Sequence, residues 1–251
     1  MNRDELVQYL DSYLRVGEIE DASQNGLQVE APGNVRKVAV AVDASLAAFQ
    51  QAVAVGAQLL IVHHGLFWDK SLLLVGPHYR RIATLIQGGC GLYGVHLPLD
   101  AHPQAGNNAE LARLLELQGT ESFGDYHGVP IGVAGRLAPA LSVSGVVERL
   151  NEALGSPAAR VLACGPERVE RIGCVSGGAM SMVDQVAAAG LDTYITGETD
   201  HTFFHHAAEL GINVLFWGHY ATETLGVRAL ARHLEEQFDL ATEFLDIPTG
   251  M

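Results

Sequence analysis

Two adjacent histidines, His63 and His64, close the apolar run LLIVHHG and are followed by Gly65. Paired imidazoles at the tip of a buried strand pack poorly, because each ring carries nitrogens that need polar partners. Two later segments add a carboxylate to the theme. His96 lies four residues before Asp100 in HLPLD, and His219 four residues before Glu223 in HYATE. Imidazoles and carboxylates without a thiolate suit Zn, Mn, Fe, Co or Ni, and spacing alone does not choose among them. His63, His64, Asp100, His219 and Glu223 are too many for one open catalytic ion and too few to saturate two. The expectation is therefore two divalent metal ions per chain, sharing a carboxylate and keeping positions open to water, as paired ions about 3.5–4 Å apart do in hydrolytic centres. His96 is expected behind the ligands, orienting one of them or carrying a proton. A lone strand-end histidine is more often a satisfied structural residue than a ligand. His102, His127, His201, His205, His206 and His233 are accordingly expected to be solvated or to stand behind the site, with Phe203 and Phe204 in the core of a helix.

Such residues need a scaffold that brings strand ends together. The stretch KVAVAVDASLAAFQQAVAVGAQLLIVHHG (37–65) aligns without a gap on RIGCVSGGAMSMVDQVAAAGLDTYITGET (171–199). Each begins with a β-branched run, continues as an amphipathic helix stopped by a glycine (Gly56, Gly190), and ends in a second apolar run with a polar tip. This is the strand–helix–strand pattern of a parallel sheet. The parallel resumes with GLYGVHLPLD (91–100) over VLFWGHYATE (214–223), which sets His96 over His219 and Asp100 over Glu223. We read an α/β chain made of two related halves by internal duplication, with the metal site between them. The first half spans 1–123 and the second 171–251. A connecting segment, 124–170, should hold strands and the helix VSGVVERLNEAL. In open α/β sheets ligands gather at the carboxyl ends of strands, where His63, His64, His96 and His219 fall. If HYATE opens a helix, His219 and Glu223 share one face at i and i+4. Pro98 suggests instead that Asp100 projects from a loop. GCGLYG (89–94) matches a dinucleotide fingerprint in letters only, because a helix precedes it and a strand follows.

The chain has 251 residues, 48% of them apolar and 18% charged, which describes a well-packed globule rather than a disordered chain. Its amino terminus is charged and amphipathic, and no apolar run is long enough for a membrane span. Three cysteines without CxxC spacing argue against a disulfide framework, and a cytoplasmic location is expected. A formal charge of −14 argues against a basic groove that tracks nucleic acid by counterion release, unless the charge is sharply segregated. Bound divalent ions would offset part of that charge locally and could attract a small anionic substrate. Backbone N–H groups of SGG (176–178) and GNN (106–108) are the candidates for holding its phosphates.

NGLQVE (25–30), IVHHGLFW (61–68), LYGVHLPLDAHPQAGNNAELA (92–112), ITGET (195–199) and GHYATE (218–223) together resemble the YbgI family, the GTP cyclohydrolase I type 2 homologues related to Nif-three-like proteins. The resemblance runs from about residue 4 to FLDIPTG. It implies two interlinked α/β domains and a dinuclear metal site at His63, His64, Asp100, His219 and Glu223, with Asp100 or Glu223 bridging. It further implies a toroidal homohexamer, a trimer of dimers. The cyclohydrolase name implies hydrolytic opening of a purine imidazole ring. Two readings follow: a metal-dependent hydrolase acting on a small nucleotide or heterocycle, or a non-catalytic metal-handling protein such as an insertase or scaffold. A ring around DNA is disfavoured by the acidic charge.

Overall fold

The computed structural model describes residues 1–31 and 33–251. In chain order its regular elements are α1 (Arg3–Tyr13), β1 (Gly26–Val29), β2 (Lys37–Asp43), α2 (Leu46–Ala54), β3 (Leu59–His64), α3 (Pro77–Gly88), β4 (Gly91–Gly94) and α4 (Leu97–Asp100). Then follow α5 (Asn107–Leu114), β5 (Gln118–Tyr126), β6 (Val129–Ser142), α6 (Val143–Leu154), β7 (Arg160–Leu162), β8 (Arg168–Cys174) and α7 (Val183–Ala188). The chain closes with β9 (Thr193–Thr196), α8 (Phe204–Leu210), β10 (Asn213–Phe216), α9 (His219–Phe238) and β11 (Ala241–Phe244).

These elements form two compact units. The chain leaves the first, Met1–Leu99, to build the second, Asp100–Leu225. It returns to the first for Gly226–Ile247, and Pro248–Met251 belongs to the second. The boundaries expected at residues 123 and 170 both fall inside the second unit.

The first unit is a five-stranded sheet in the order β1-β4-β3-β2-β11. β2, β3 and β4 run parallel in register, with Val62 opposite Gly94 and Asp43 opposite His64. β2 and β3 read as near-continuous apolar runs because helices cover both faces of a parallel sheet. Val38, Val40, Leu59 and Ile61 pack against Leu6 and Leu10 of α1 and Val227, Leu230 and Leu234 of α9. Ala39, Ala41, Leu60 and Val62 pack against Phe49 of α2 and Leu85 of α3. Local chemistry marks the helix ends. The Asn2 side chain accepts from the Asp4 N–H, and Ser45 accepts from the Ala48 N–H, as N-caps do. Helix α3 starts on Pro77 and stops at Gly89 with φ near +64°.

The second unit is a six-stranded sheet in the order β5-β6-β8-β9-β10-β7. Its centre, β8-β9-β10, is parallel and repeats the order β2-β3-β4 of the first unit. In both sheets an antiparallel strand lies beside the last of the three: β1 on β4, and β7 on β10. Gly56 and Gly190, aligned in the repeat, both stop their helices with positive φ, +71° and +65°. The expected βαβ duplication is therefore present in the fold. The helix VSGVVERLNEAL is α6, capped by Ser142 accepting from the Gly145 N–H, and its Val146 and Leu150 enter the core with Leu111 and Leu115 of α5.

Two local expectations need correcting. Asp100 ends a single helical turn rather than projecting from a loop, because Pro98 sits in the first turn, where its missing N–H has no helical partner to lose. Phe204 is exposed, since the segment from His201 is a 3₁₀ turn running into a short helix and Ala207 is its buried residue.

Candidate metal centre

In the first unit three parallel strand ends bring their tips together. The register places His64 beside Asp43, and the Asp43 carboxylate accepts from His64 Nδ1 at 2.8 Å. His63 is fully buried, and its Nδ1 donates to the Val95 carbonyl just past β4 at 3.0 Å. His96, two residues past β4, directs Nδ1 at Asp21, 3.0 Å away. One ring nitrogen of each of these histidines lies within 4.8 Å of one from each of the others. An Nδ1–H that donates to an oxygen acceptor sets the tautomer and leaves the lone pair on Nε2, the usual preparation of a ligating imidazole.

The segment from Asp21 into β1, which carries NGLQ, explains how this tip is held. Asp21 accepts from the Ser23 and Leu97 N–H groups and from the Asn25 side chain, while Asn25 Oδ1 accepts from the His96 N–H. Burial alone would raise the Asp21 pKa; the His96 hydrogen bond and charge, with help from Asn25 and the Ser23 N–H, override it and bring the group to about 2. Gln28 accepts from the Leu66 N–H and lies against Gly65 and Gly94, where side chains would collide with it. Trp68 donates to the Gly65 carbonyl and sets its ring edge-on to His96.

The second unit repeats the arrangement with different residues. The β8, β9 and β10 ends lead to Ser176-Gly177, Glu198 and His219. His219 opens α9, and its Nε2 lies 3.1 Å from Glu223 Oε1, the i and i+4 geometry expected. Its Nδ1 lies 2.9 Å from Glu198. Glu223 above all, against the opposing effect of burial and with Glu198 adding, raises the His219 pKa to about 9. Glu223 is 3% exposed. Gly177, with φ near +66°, makes the room: a Cβ there would stand 2.4 Å from Glu223 Oε1. Asp100 is also buried, and its Oδ1 accepts from the Asn107 amide at 2.9 Å and the Ser176 hydroxyl at 3.2 Å.

The three imidazoles of the first unit could therefore hold a divalent cation, and His219 and Glu223 are further donors of suitable chemistry. Buried carboxylates and imidazoles whose second nitrogen is fixed by oxygen are costly arrangements unless a positive charge accompanies them. Asp21, Asp43 and Glu198 lie outside the residues the sequence singles out. Only the alignment of Glu198 with His64, at the polar tip of the second repeat, could have found one of them.

Three of the amides expected to cradle phosphate are bonded within the protein, the Gly106 N–H to the His102 carbonyl among them. The Ser176 N–H donates to Asn108, the Gly177 N–H to Thr222, and the Asn107 and Asn108 side chains hold Asp100 and the Ile131 carbonyl. His102 is buried rather than solvated, accepting from the Ala105 N–H. His201 and His205 are exposed, His206 pairs with Asp184, and His233 stacks on Tyr13. No helix among the described residues is long and apolar enough to cross a membrane.

Residues 1–249 match the Duf34/NIF3 (NGG1p interacting factor 3) family. A Deinococcus radiodurans protein named GTP cyclohydrolase 1 type 2 homolog is 46% identical over 251 residues, covering 100% of this chain and 95% of its own length. Among solved structures, a Thermus thermophilus protein is 46% identical with a TM-score of 0.92, each chain covered in full. The protein ybgI, described as of unknown function, is 39% identical with a TM-score of 0.91, again over both full chains.

Proposed function

We propose, from the premise that this chain belongs to the Duf34/NIF3 family, that it is a divalent-metal hydrolase acting on a small nucleotide or related heterocycle. His63, His64, Asp100, His219 and Glu223 together hold two ions in this reading. The observation that carries it is the fixing of each of His63, His64 and His219 at Nδ1 by an oxygen acceptor, the Val95 carbonyl, Asp43 and Glu198 respectively. Nothing in packing requires that pattern three times, whereas ligation does. Divalent cations held there supply Lewis acidity, which polarises a substrate and makes water a competent nucleophile near neutral pH. The chain's own part is positional: Asn107 and Ser176 aim Asp100, and Gly177 leaves space for Glu223. The substrate class is suggested by the name its relatives carry, GTP cyclohydrolase 1 type 2 homolog.

A second reading, a metal-handling protein without chemistry of its own, is favoured by one observation. The amides of Ser176 and Gly177, the best candidates for binding phosphate, are already bonded within the protein. One experiment separates the two. Metal-loaded protein and Glu223→Gln protein are incubated with a bacterial metabolite extract and the products profiled by mass spectrometry. Depletion of one compound only by the intact site is the expected result and identifies the substrate. An unchanged extract, with the intact protein folded and loaded, overturns the hydrolase reading in favour of metal handling.

The same proposal includes a cytoplasmic location, supported by three free cysteines, and self-association into a homohexamer. Supporting self-association, the first unit exposes Leu73, Leu74, Val75, Tyr79 and Ile86 around α3, an apolar stripe at i, i+3, i+4 and i+7 spacing once Ile82 and Ala83 are included.

A further inference from the structure

We propose that the groove between α5 and the β5–β6 hairpin of the second unit binds a small molecule with an anionic head, carboxylate or phosphate, on a short aliphatic body. This goes beyond the metal reading above, since none of the residues lining the groove is one of the five proposed ligands.

The groove has a volume of about 370 Å³, within the roughly 300–1,000 Å³ that small-molecule sites occupy. Helical spacing builds one wall. Along α5, Ala109, Ala112 and Arg113 recur at i, i+3 and i+4 and face the groove. Leu111 enters the core instead, and Asn107 reaches Asp100 from the other side of the helix. The pleat of the hairpin builds the facing wall. Ser122 pairs with Val133, so the two share a face, whereas Glu121 pairs with Ala134 on the other. The small side chains of Ala101, Ala109 and Ala112 leave the space, and Leu117, Pro130 and Val133 make the rest of it apolar.

Among the described residues one cation lines this space, and it is already aimed. Arg113 donates through Nε to Glu110 Oε1 at 2.9 Å and through Nη2 to Glu110 Oε2 at 2.8 Å. The Glu110 side chain is 7% exposed and that of Arg113 62% exposed. A buried carboxylate thus grips one edge of the guanidinium and leaves the rest of the group at the surface. Nη1 has no partner among the described residues, and with the second Nη2 hydrogen it makes the other fork of the guanidinium. That fork matches two oxygens of a carboxylate or a phosphate. Thr120 and Ser122 on the hairpin wall add hydroxyl donors without adding charge. A ligand with an anionic head therefore meets donors at one end of the groove and apolar side chains along its body.

The test uses the full chain and ligand-observed NMR with hexanoate, hexyl phosphate, hexan-1-ol and hexylammonium, each titrated to about 10 mM. At least one of the two anions is expected to bind saturably, and the tighter of them names the head. The alcohol should bind about 10-fold more weakly or worse, and the ammonium not at all. Metal plays no part, so the same result is expected with and without loaded ions. Arg113→Gln should weaken the anion about 10-fold while leaving the alcohol unaffected. Arg113→Lys keeps a positive charge beside Glu110 but loses the fork, and should also weaken the anion. Ala109→Leu puts a good helix former into the groove and should weaken anion and alcohol alike. Neither anion binding to protein that circular dichroism shows to be folded would overturn the proposal. So would ammonium binding as well as the anions, or anion binding indifferent to both Arg113 changes and to Ala109→Leu.

Discussion

At the scale of single residues, the candidate centre depends on what small or buried side chains permit. Gly177 has φ near +66° and stands where a Cβ would approach Glu223 Oε1 to 2.4 Å and His219 Nε2 to 3.2 Å. Gly177→Ala therefore combines backbone strain with displacement of two proposed ligands, and should cost about 1–3 kcal/mol while weakening metal binding. Thermal unfolding with parallel metal titration checks both, and unchanged metal affinity would separate the loop from the site. Asp21 offers a pH-dependent counterpart. Its side chain is 2% exposed and its pKa is lowered to about 2, so it stabilises the fold above the unfolded value near 4 and ceases to as pH falls through 2. The shift corresponds to about 2 kcal/mol. Denaturant titrations between about pH 4 and pH 2 should give a shallower loss of stability for Asp21→Asn than for the unaltered chain; parallel curves would mean the group is not so held.

Among elements, the recurring device is a set of three parallel strands whose carboxyl ends align a carboxylate with a histidine. β2 and β3 set Asp43 against His64, and β9 and β10 lead to Glu198 against His219. Strand β1 locks the first of these tips through Gln28, which fits only because residues 65 and 94 lack side chains. A Cβ at residue 65 would meet Gln28 Nε2 at 2.2 Å, the movable end of a flexible side chain. Gly65→Ala should thus expel Gln28 and forfeit its bond to the Leu66 N–H, costing about 1–2 kcal/mol. Because Gln28→Ala removes the same interaction, the two changes should be strongly non-additive in a double-mutant cycle. Additive losses would show that Gly65 is needed for its backbone alone.

For the whole molecule, charge and exposed apolar surface point in different directions. A net charge of −14 disfavours a phosphate backbone as partner. The α3 stripe, with Leu73 72% and Ile86 62% exposed, invites a protein surface instead. The homohexamer proposed above predicts a mass by light scattering about six times 26.8 kDa, reduced when Tyr79 and Ile86 are both changed to Ser. A monomer at micromolar concentration would end that reading.

The sequence by itself determined the alternation of strands and helices, the duplicated order, and the placement of His63, His64, His96 and His219 at strand ends. Hydrophobic period and glycine stops are local signals, and a parallel sheet leaves its polar residues at one edge. It also determined the shared face of His219 and Glu223, which is a matter of helical spacing alone. Only the tertiary structure decided which oxygens hold each imidazole. Asp21 lies 75 residues from His96, and the Glu198–His219 pair is 21 apart; neither spacing has a period to read. The turn at Asp100 and the exposure of Phe204 were hidden for a related reason, since one-turn elements carry too few residues for a pattern. His96 shows the limit most plainly: its spacing to Asp100 is legible, but its bond to Asp21 and its place beside His63 and His64 come from the tertiary structure.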